Sequence, residues 1–93
     1  MKVRHTVVVE STCPINGDAD RYVADVAVWP GGFIICEDVL AAVQSLVREA
    51  ITQEELTQRL ADRLGCRVRT RGFHCRGRVR TVVVCRPRHR PPA

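Results

Sequence analysis

Lysine is nearly absent from this sequence: of fifteen basic residues only Lys2 is not arginine. Aromatic residues are as scarce, with two Phe, one Tyr and one Trp, too few for a row of rings on which nucleic-acid bases would stack. No apolar run approaches the ~20 residues that a membrane-spanning helix needs, and residues 1–5 lack the apolar block of a signal peptide. A cytoplasmic protein with no membrane role is the expectation. The five cysteines, at 13, 36, 66, 75 and 85, are odd in number and contain no C-x-x-C pair. They read as free thiols, not as a disulfide framework or a zinc site. His5, His74 and His89 contain no paired His-x-His spacing, so no metal is expected.

Acidic residues are also missing from one half of the chain. All ten lie before residue 63, so residues 1–64 carry a net −4 and residues 65–93 a net +9. A basic half of this kind fits a partner bearing phosphates. The excess of Arg over Lys reads equally well as a compositional bias of the source.

A chain of 93 residues makes one domain, here residues 1–86, followed by a Pro- and Arg-rich tail, 87–93, expected to be loose. Residues 3–10 alternate as a strand, with Val3, His5, Val7 and Val9 on one face. Residues 13–20 form a polar turn, and 21–29 a second strand with Tyr22, Ala24, Val26 and Val28 on one face. A helix follows from about 38 to 49, with Leu40, Val43 and Val47 as its apolar stripe and Val39 and Leu46 on the flank. Thr52 and Glu55 make a Thr-x-x-Glu capping box inside an Ile51/Leu56 staple. Leu56, Leu60 and Leu64 are that second helix's buried stripe, and Gly65 is its stop. Residues 66–71 and 78–86 alternate again around a 72–77 turn. The fold class is α+β: two hairpins forming a four-stranded antiparallel sheet, with two helices on one face. The uncovered face is half apolar and half arginine, and such sheets commonly hide their edges against further copies, so a closed ring of subunits is expected.

The chemistry concentrates in Cys13-Pro14-Ile15-Asn16-Gly17-Asp18-Ala19-Asp20. A thiol before Pro in a polar turn is ill placed for core packing, and a carboxylate seven residues later is a candidate proton donor to its adduct. Because Glu55 has a capping role, Glu54 is left as an unassigned carboxylate at a helix start. The pattern Cys-Pro-x-x-Gly-x-x-Asp resembles the active-site segment of the nitrile reductases that act on 7-cyano-7-deazaguanine, members of the tunnelling-fold (T-fold) superfamily, whose unit is two strands, two helices and two strands. The resemblance implies that Cys13 attacks the nitrile carbon to form a thioimide, with Asp20 moving the proton. It implies that Glu54 anchors the guanine-like ring by paired hydrogen bonds, as a 7-deazaguanine-type small molecule would require, at a subunit interface of a homo-oligomer.

Two departures from that pattern stand out. Gln53 takes the place of a His before the ring-anchoring Glu. Glu37-Asp38-Val39-Leu40-Ala41-Ala42 takes the place of a lysine-bearing NADPH segment, so Glu37 is kept as a substrate contact while both lysines are gone. NADPH binding then depends on other cations, with Arg76 and Arg78 as candidates. The alternative is the amidine-forming branch of the family, which needs no hydride donor. His74 is a further candidate substrate contact in the 72–77 turn. Two other readings stay open: a pterin- or purine-binding T-fold protein, and a basic nucleic-acid-binding module built on Arg67, Arg69, Arg71, Arg78 and Arg80.

Overall fold

In a computed structural model of the chain, which describes residues 2–88, the six expected elements appear in the expected order. They are β1 (Val3–Thr12), β2 (Ala19–Val28), α1 (Cys36–Leu46), α2 (Gln53–Leu64), β3 (Arg67–His74) and β4 (Val79–Cys85). The strands form one antiparallel sheet in the order β1-β2-β3-β4, so β1 and β4 are its edges. Both helices cover one face. Val9, Tyr22, Ala24, Val26, Val68 and Thr70 point under them and are buried, as the period-two alternation requires.

α2 forms as its sequence dictates. The Thr52 hydroxyl accepts from the Glu55 N–H at 3.2 Å, Gly65 closes the helix in the left-handed region, and Leu56 and Leu60 are fully buried. Only half of the capping box is made, because the Glu55 carboxylate turns instead to Arg59 one turn on, at 2.5 Å. α1 departs further from expectation. It starts at Cys36 and ends at Leu46, three residues short of position 49. Its buried stripe is Val39, Ala42 and Val43, whereas Leu40 is about half exposed. The small Ala42 on that face allows close approach to the core, which rotates Leu40 outward.

The hairpins are tighter than the sequence implied. β1 runs two residues further than expected, to Thr12, and β2 begins two residues earlier, inside the polar turn, leaving only a 13–18 connection. β3 continues through Gly72 and Phe73 to His74, so His74 ends a strand and does not lie in a loop; the turn is 75–78. Gly72 permits this continuation. A Cβ there would lie 2.4 Å from Cδ1 of Tyr22, the residue opposite it in register.

The open face carries Val8, Val23, Arg71 and Val82 in one cross-strand row and Thr6, Asp25, Arg69 and Val84 in the next. Of the segment expected to be a loose tail, Arg88 is tied to α2: its backbone N–H and guanidinium donate to the Asp62 carboxylate at 2.5–2.9 Å. Residues 89–93, His89 among them, lie outside the described residues. No helix among the described residues is long and apolar enough to cross a membrane.

Candidate active site

Antiparallel pairing through the whole sheet brings four chain segments to one end: the last residues of β1, the first of β2, the last of β3 and the first of β4. The start of α2 joins them, because the Ile51 N–H donates to the Thr12 carbonyl at 3.1 Å. Cys13, Asp20, Glu54, His74, Arg76 and Arg78 therefore share this end.

The 13–18 connection is a closed loop. The Cys13 N–H donates to the Asp18 carbonyl at 2.8 Å, and the Gly17 N–H returns to the Cys13 carbonyl at 2.9 Å. Gly17 has φ +77°, a left-handed conformation that costs a side-chain-bearing residue ~1–2 kcal/mol. Asn16 accepts from the Asp18 N–H at 2.9 Å. These bonds fix the backbone that carries the half-buried Cys13.

Asp20 pairs with Ser11 across the hairpin, and Tyr22 follows it on the same face. The Tyr22 hydroxyl donates to Asp20 Oδ2 at 3.0 Å. Burial first, then the Asp20 carboxylate and the nearby Cys13, hold the Tyr22 phenol well above its ordinary value of 10.0; the Ser11 hydroxyl opposes this. The Ser11 Oγ is itself buried without a well-formed hydrogen bond. Cys13, Asp20, Tyr22 and Ser11 thus form one cluster.

Beside it lies a second polar group inside the fold. Gln53, 2% exposed, donates from Nε2 to the Thr81 carbonyl and to Thr70 Oγ1, both at 3.1 Å. Its Oε1 meets His74 Nε2 at 2.7 Å, and the His74 ring centre lies 5.9 Å from that of Tyr22. Gln53, which looked like a lost histidine, is a buried connector. Glu54 beside it is exposed at the start of α2, where helix N–H groups favour an anion.

The structure does not bring Glu37 to this end. The carbonyl of Ile34, just before α1, accepts from His5 Nε2 at 2.8 Å. His5 is seven residues before Thr12 on an extended strand, roughly 23 Å away at ~3.3 Å per residue. Glu37, in the first turn of α1, lies with it at the far end of the sheet. The first turn of α1 carries only the acids Glu37 and Asp38, whereas Arg76 and Arg78 are on the 75–78 turn. Within one chain these residues do not combine into a dinucleotide site. Among the described residues no group of three or more His, Cys, Asp and Glu is arranged to hold a metal ion.

Three surface depressions, of about 370, 530 and 250 Å³, are lined elsewhere: by Trp29, Phe33 and Arg63 at the far end, and by open-face residues around Arg71 and Arg69. None of these three includes Cys13, Asp20, Glu54 or His74.

Sequence reasoning passed over Tyr22 and Ser11 and marked Gln53 only as the replacement of a His. For Tyr22 a signal existed, because it stands two residues from Asp20 on one strand and shares its face. The burial of Gln53 had no such signal, since the position after a helix N-cap is ordinarily exposed.

No family model and no curated protein matches the sequence. Among solved structures, the crystal structure of the archaeosine synthase QueF-Like in the apo form is similar to this chain over 97% of its length and 96% of that chain, with a TM-score of 0.82 at 26% identity. The chain has the T-fold of the QueF-like proteins.

Proposed function

We propose that this protein is an enzyme of 7-deazaguanine metabolism that converts the nitrile of 7-cyano-7-deazaguanine to an amidine through a covalent Cys13 thioimide. The observation that carries the reading is the clustering of Cys13 with the Asp20–Tyr22 pair on a rigid closed turn, in a chain similar from end to end to an archaeosine synthase.

A nitrile is a modest electrophile, so attack requires thiolate character at sulfur and a proton at nitrogen. In the step proposed, Cys13 Sγ bonds to the nitrile carbon as one C–N π bond breaks, and the nitrogen takes a proton from Asp20. The thiol's proton restores Asp20, so the addition is redox-neutral. Ammonia, or an amino donor, then adds to the thioimide carbon and the thiol leaves, giving the amidine and free Cys13. Tyr22 holds the Asp20 carboxyl at Oδ2 and leaves its other oxygen for the nitrile. Glu54 receives the ring's N–H edge.

Reduction by NADPH is the competing fate of the same thioimide. Carboxylates on the first turn of α1, and the distance of Arg76 and Arg78 from it, favour the amidine. The remoteness of Glu37 from Cys13 favours a homo-oligomer in which a second copy brings its Glu37 to the site. Five free thiols fit a reducing, cytoplasmic setting.

Intact-mass spectrometry tests this directly. Protein incubated with 7-cyano-7-deazaguanine should gain the ligand's mass, and Cys13→Ala should not. Absence of an adduct, with both proteins alike, sinks the reading. Addition of ammonium or of NADPH to the adduct then separates amidine formation from reduction.

A second reading rests on one observation. The ion pairs among the described residues are Glu55–Arg59 and Asp62–Arg88, so Arg67, Arg69, Arg71 and Arg80 on the open face form no close ion pair, with Asp25 opposite Arg69 the carboxylate among them. Such a face fits a phosphate backbone. Binding of RNA that does not weaken with rising salt would refute it.

A further inference from the structure

We infer that Gln53 is a positioning residue that locks His74 in its Nε2–H form, leaving Nδ1 as the nitrogen that accepts a hydrogen bond from an N–H of a bound purine-type ring. The lock follows from counting donors along one buried chain of hydrogen bonds. The Gln53 backbone carbonyl can only accept, so the Thr57 hydroxyl, 2.7 Å away, spends its proton there. Thr57 Oγ1 then has only lone pairs for Thr70 Oγ1 at 2.6 Å, and the Thr70 hydroxyl must donate to it. Thr70 Oγ1 in turn can only accept from the Gln53 side chain, at 3.1 Å.

The Thr81 carbonyl, also an obligate acceptor, faces the same Gln53 nitrogen at 3.1 Å. Both bonds require the amide NH₂ on that side, and a flipped amide would set oxygen against oxygen. The Gln53 oxygen is thereby aimed at His74 Nε2, 2.7 Å away, and an amide oxygen accepts only from a protonated ring nitrogen. Thr57, Thr70 and Gln53 are all buried, where an unmade hydrogen bond costs ~1–3 kcal/mol, so the pattern has no inexpensive alternative. Fixing one imidazole nitrogen through its partner is how a histidine's other nitrogen is assigned its task.

His74 is half-buried at the end of β3, with its ring against Tyr22 and so beside the Asp20 and Cys13 cluster. Its use by a ligand rests on the reading of this end as the active site, whereas the lock itself does not.

Two-bond nitrogen–proton correlation spectra of the wild-type protein at alkaline pH test the lock without ligand. His74 should show a protonated Nε2 and a bare Nδ1. The Gln53→Met protein, which can neither donate to Thr81 nor accept from His74, should show a mixture of tautomers. A wild-type spectrum with the proton on Nδ1 overturns the proposal with no variant needed, and so does Gln53→Met with the wild-type pattern. Titration of Cys13→Ala protein with 7-cyano-7-deazaguanine should move the Nδ1 resonance and leave Nε2–H in place, and His74→Ala should weaken binding roughly tenfold. An unmoved Nδ1 at saturation removes the ligand contact. A Nε2–H lock with no Cys13 adduct would instead overturn the proposed function alone, and an adduct with the proton on Nδ1 would overturn the lock alone.

Discussion

The Tyr22 hydroxyl reaches back two residues along β2 to donate to the Asp20 carboxylate at 3.0 Å. Residues two apart on a strand share a face, so the bond is built into the strand and needs no loop to hold it. Removing the hydroxyl alone should expose its role. Tyr22→Phe keeps the ring against His74 and should slow adduct formation at Cys13 about tenfold, while stability falls by ~1 kcal/mol. Mass-detected time courses and urea unfolding measure the two effects, and an unchanged adduct rate would remove Tyr22 from the site.

The same phenol predicts a pH dependence. Its ionisation is pushed above 10.0 in the folded protein, so the folded state favours the neutral form. Its contribution is fully present below pH 10 and is lost as pH rises from there towards the raised folded value. Wild type should lose up to ~1.4 kcal/mol per pH unit more than Tyr22→Phe above pH 10. Urea midpoints of the two proteins from pH 9 to 11 check the sign and the window.

Gly72→Ala should be severe for a residue without a side chain. The added methyl would stand 2.4 Å from the Tyr22 ring, itself 1% exposed, and 3.2 Å from the Arg21 carbonyl. Overpacking of this kind typically costs 1–3 kcal/mol, and here it also moves the Asp20 partner. Denaturant unfolding should show the loss. The same change at the exposed Gly17, with φ +77° and nothing within 4 Å, should act through backbone strain alone and cost less.

Glu54 and Glu55 are neighbours with different tasks. Glu54→Gln should weaken binding of the ring roughly tenfold to a hundredfold, the worth of a charge-assisted hydrogen bond, with little change in stability. Glu55→Gln loses the pair with Arg59 and should leave ring binding alone. Calorimetric titration of Cys13→Ala protein with 7-cyano-7-deazaguanine, compared between the two substitutions, decides between them.

The Asp62–Arg88 contact should matter at low pH. The Arg88 side-chain and backbone donors hold the Asp62 carboxyl below its usual 3.8, so its contribution is present above that value and disappears as pH falls through the lowered one. The Arg88 side chain is mostly exposed, although Asp62 is largely covered, so the effect should be small and screened by salt. Asp62→Asn should lie closest to wild type in acid and furthest from it at neutral pH, as read by thermal unfolding at several pH values.

Local chemistry in the sequence was enough for much of this molecule. Period-two alternation set the strand faces, so Val9, Tyr22, Ala24, Val26, Val68 and Thr70 lie beneath the helices as their spacing requires. Thr52, the Leu56/Leu60 stripe and Gly65 delimit α2 without help from the rest of the chain, and the Cys-Pro-x-x-Gly-x-x-Asp spacing singled out Cys13 and Asp20. Other features depended on what lies across space. The pairing of Gly72 with Tyr22 carried β3 on to His74. Contact with the core decided that α1 buries Ala42 and turns Leu40 outward. The antiparallel register gathered Cys13, Asp20, Glu54 and His74 at one end and left Glu37 at the other. Gln53 shows the division most sharply. Its identity could be read from the sequence, but its role depends on Thr70, Thr81 and His74, residues 17 to 28 positions away. A hydrogen-bond network of that span exists only once the sheet has closed beneath the helix.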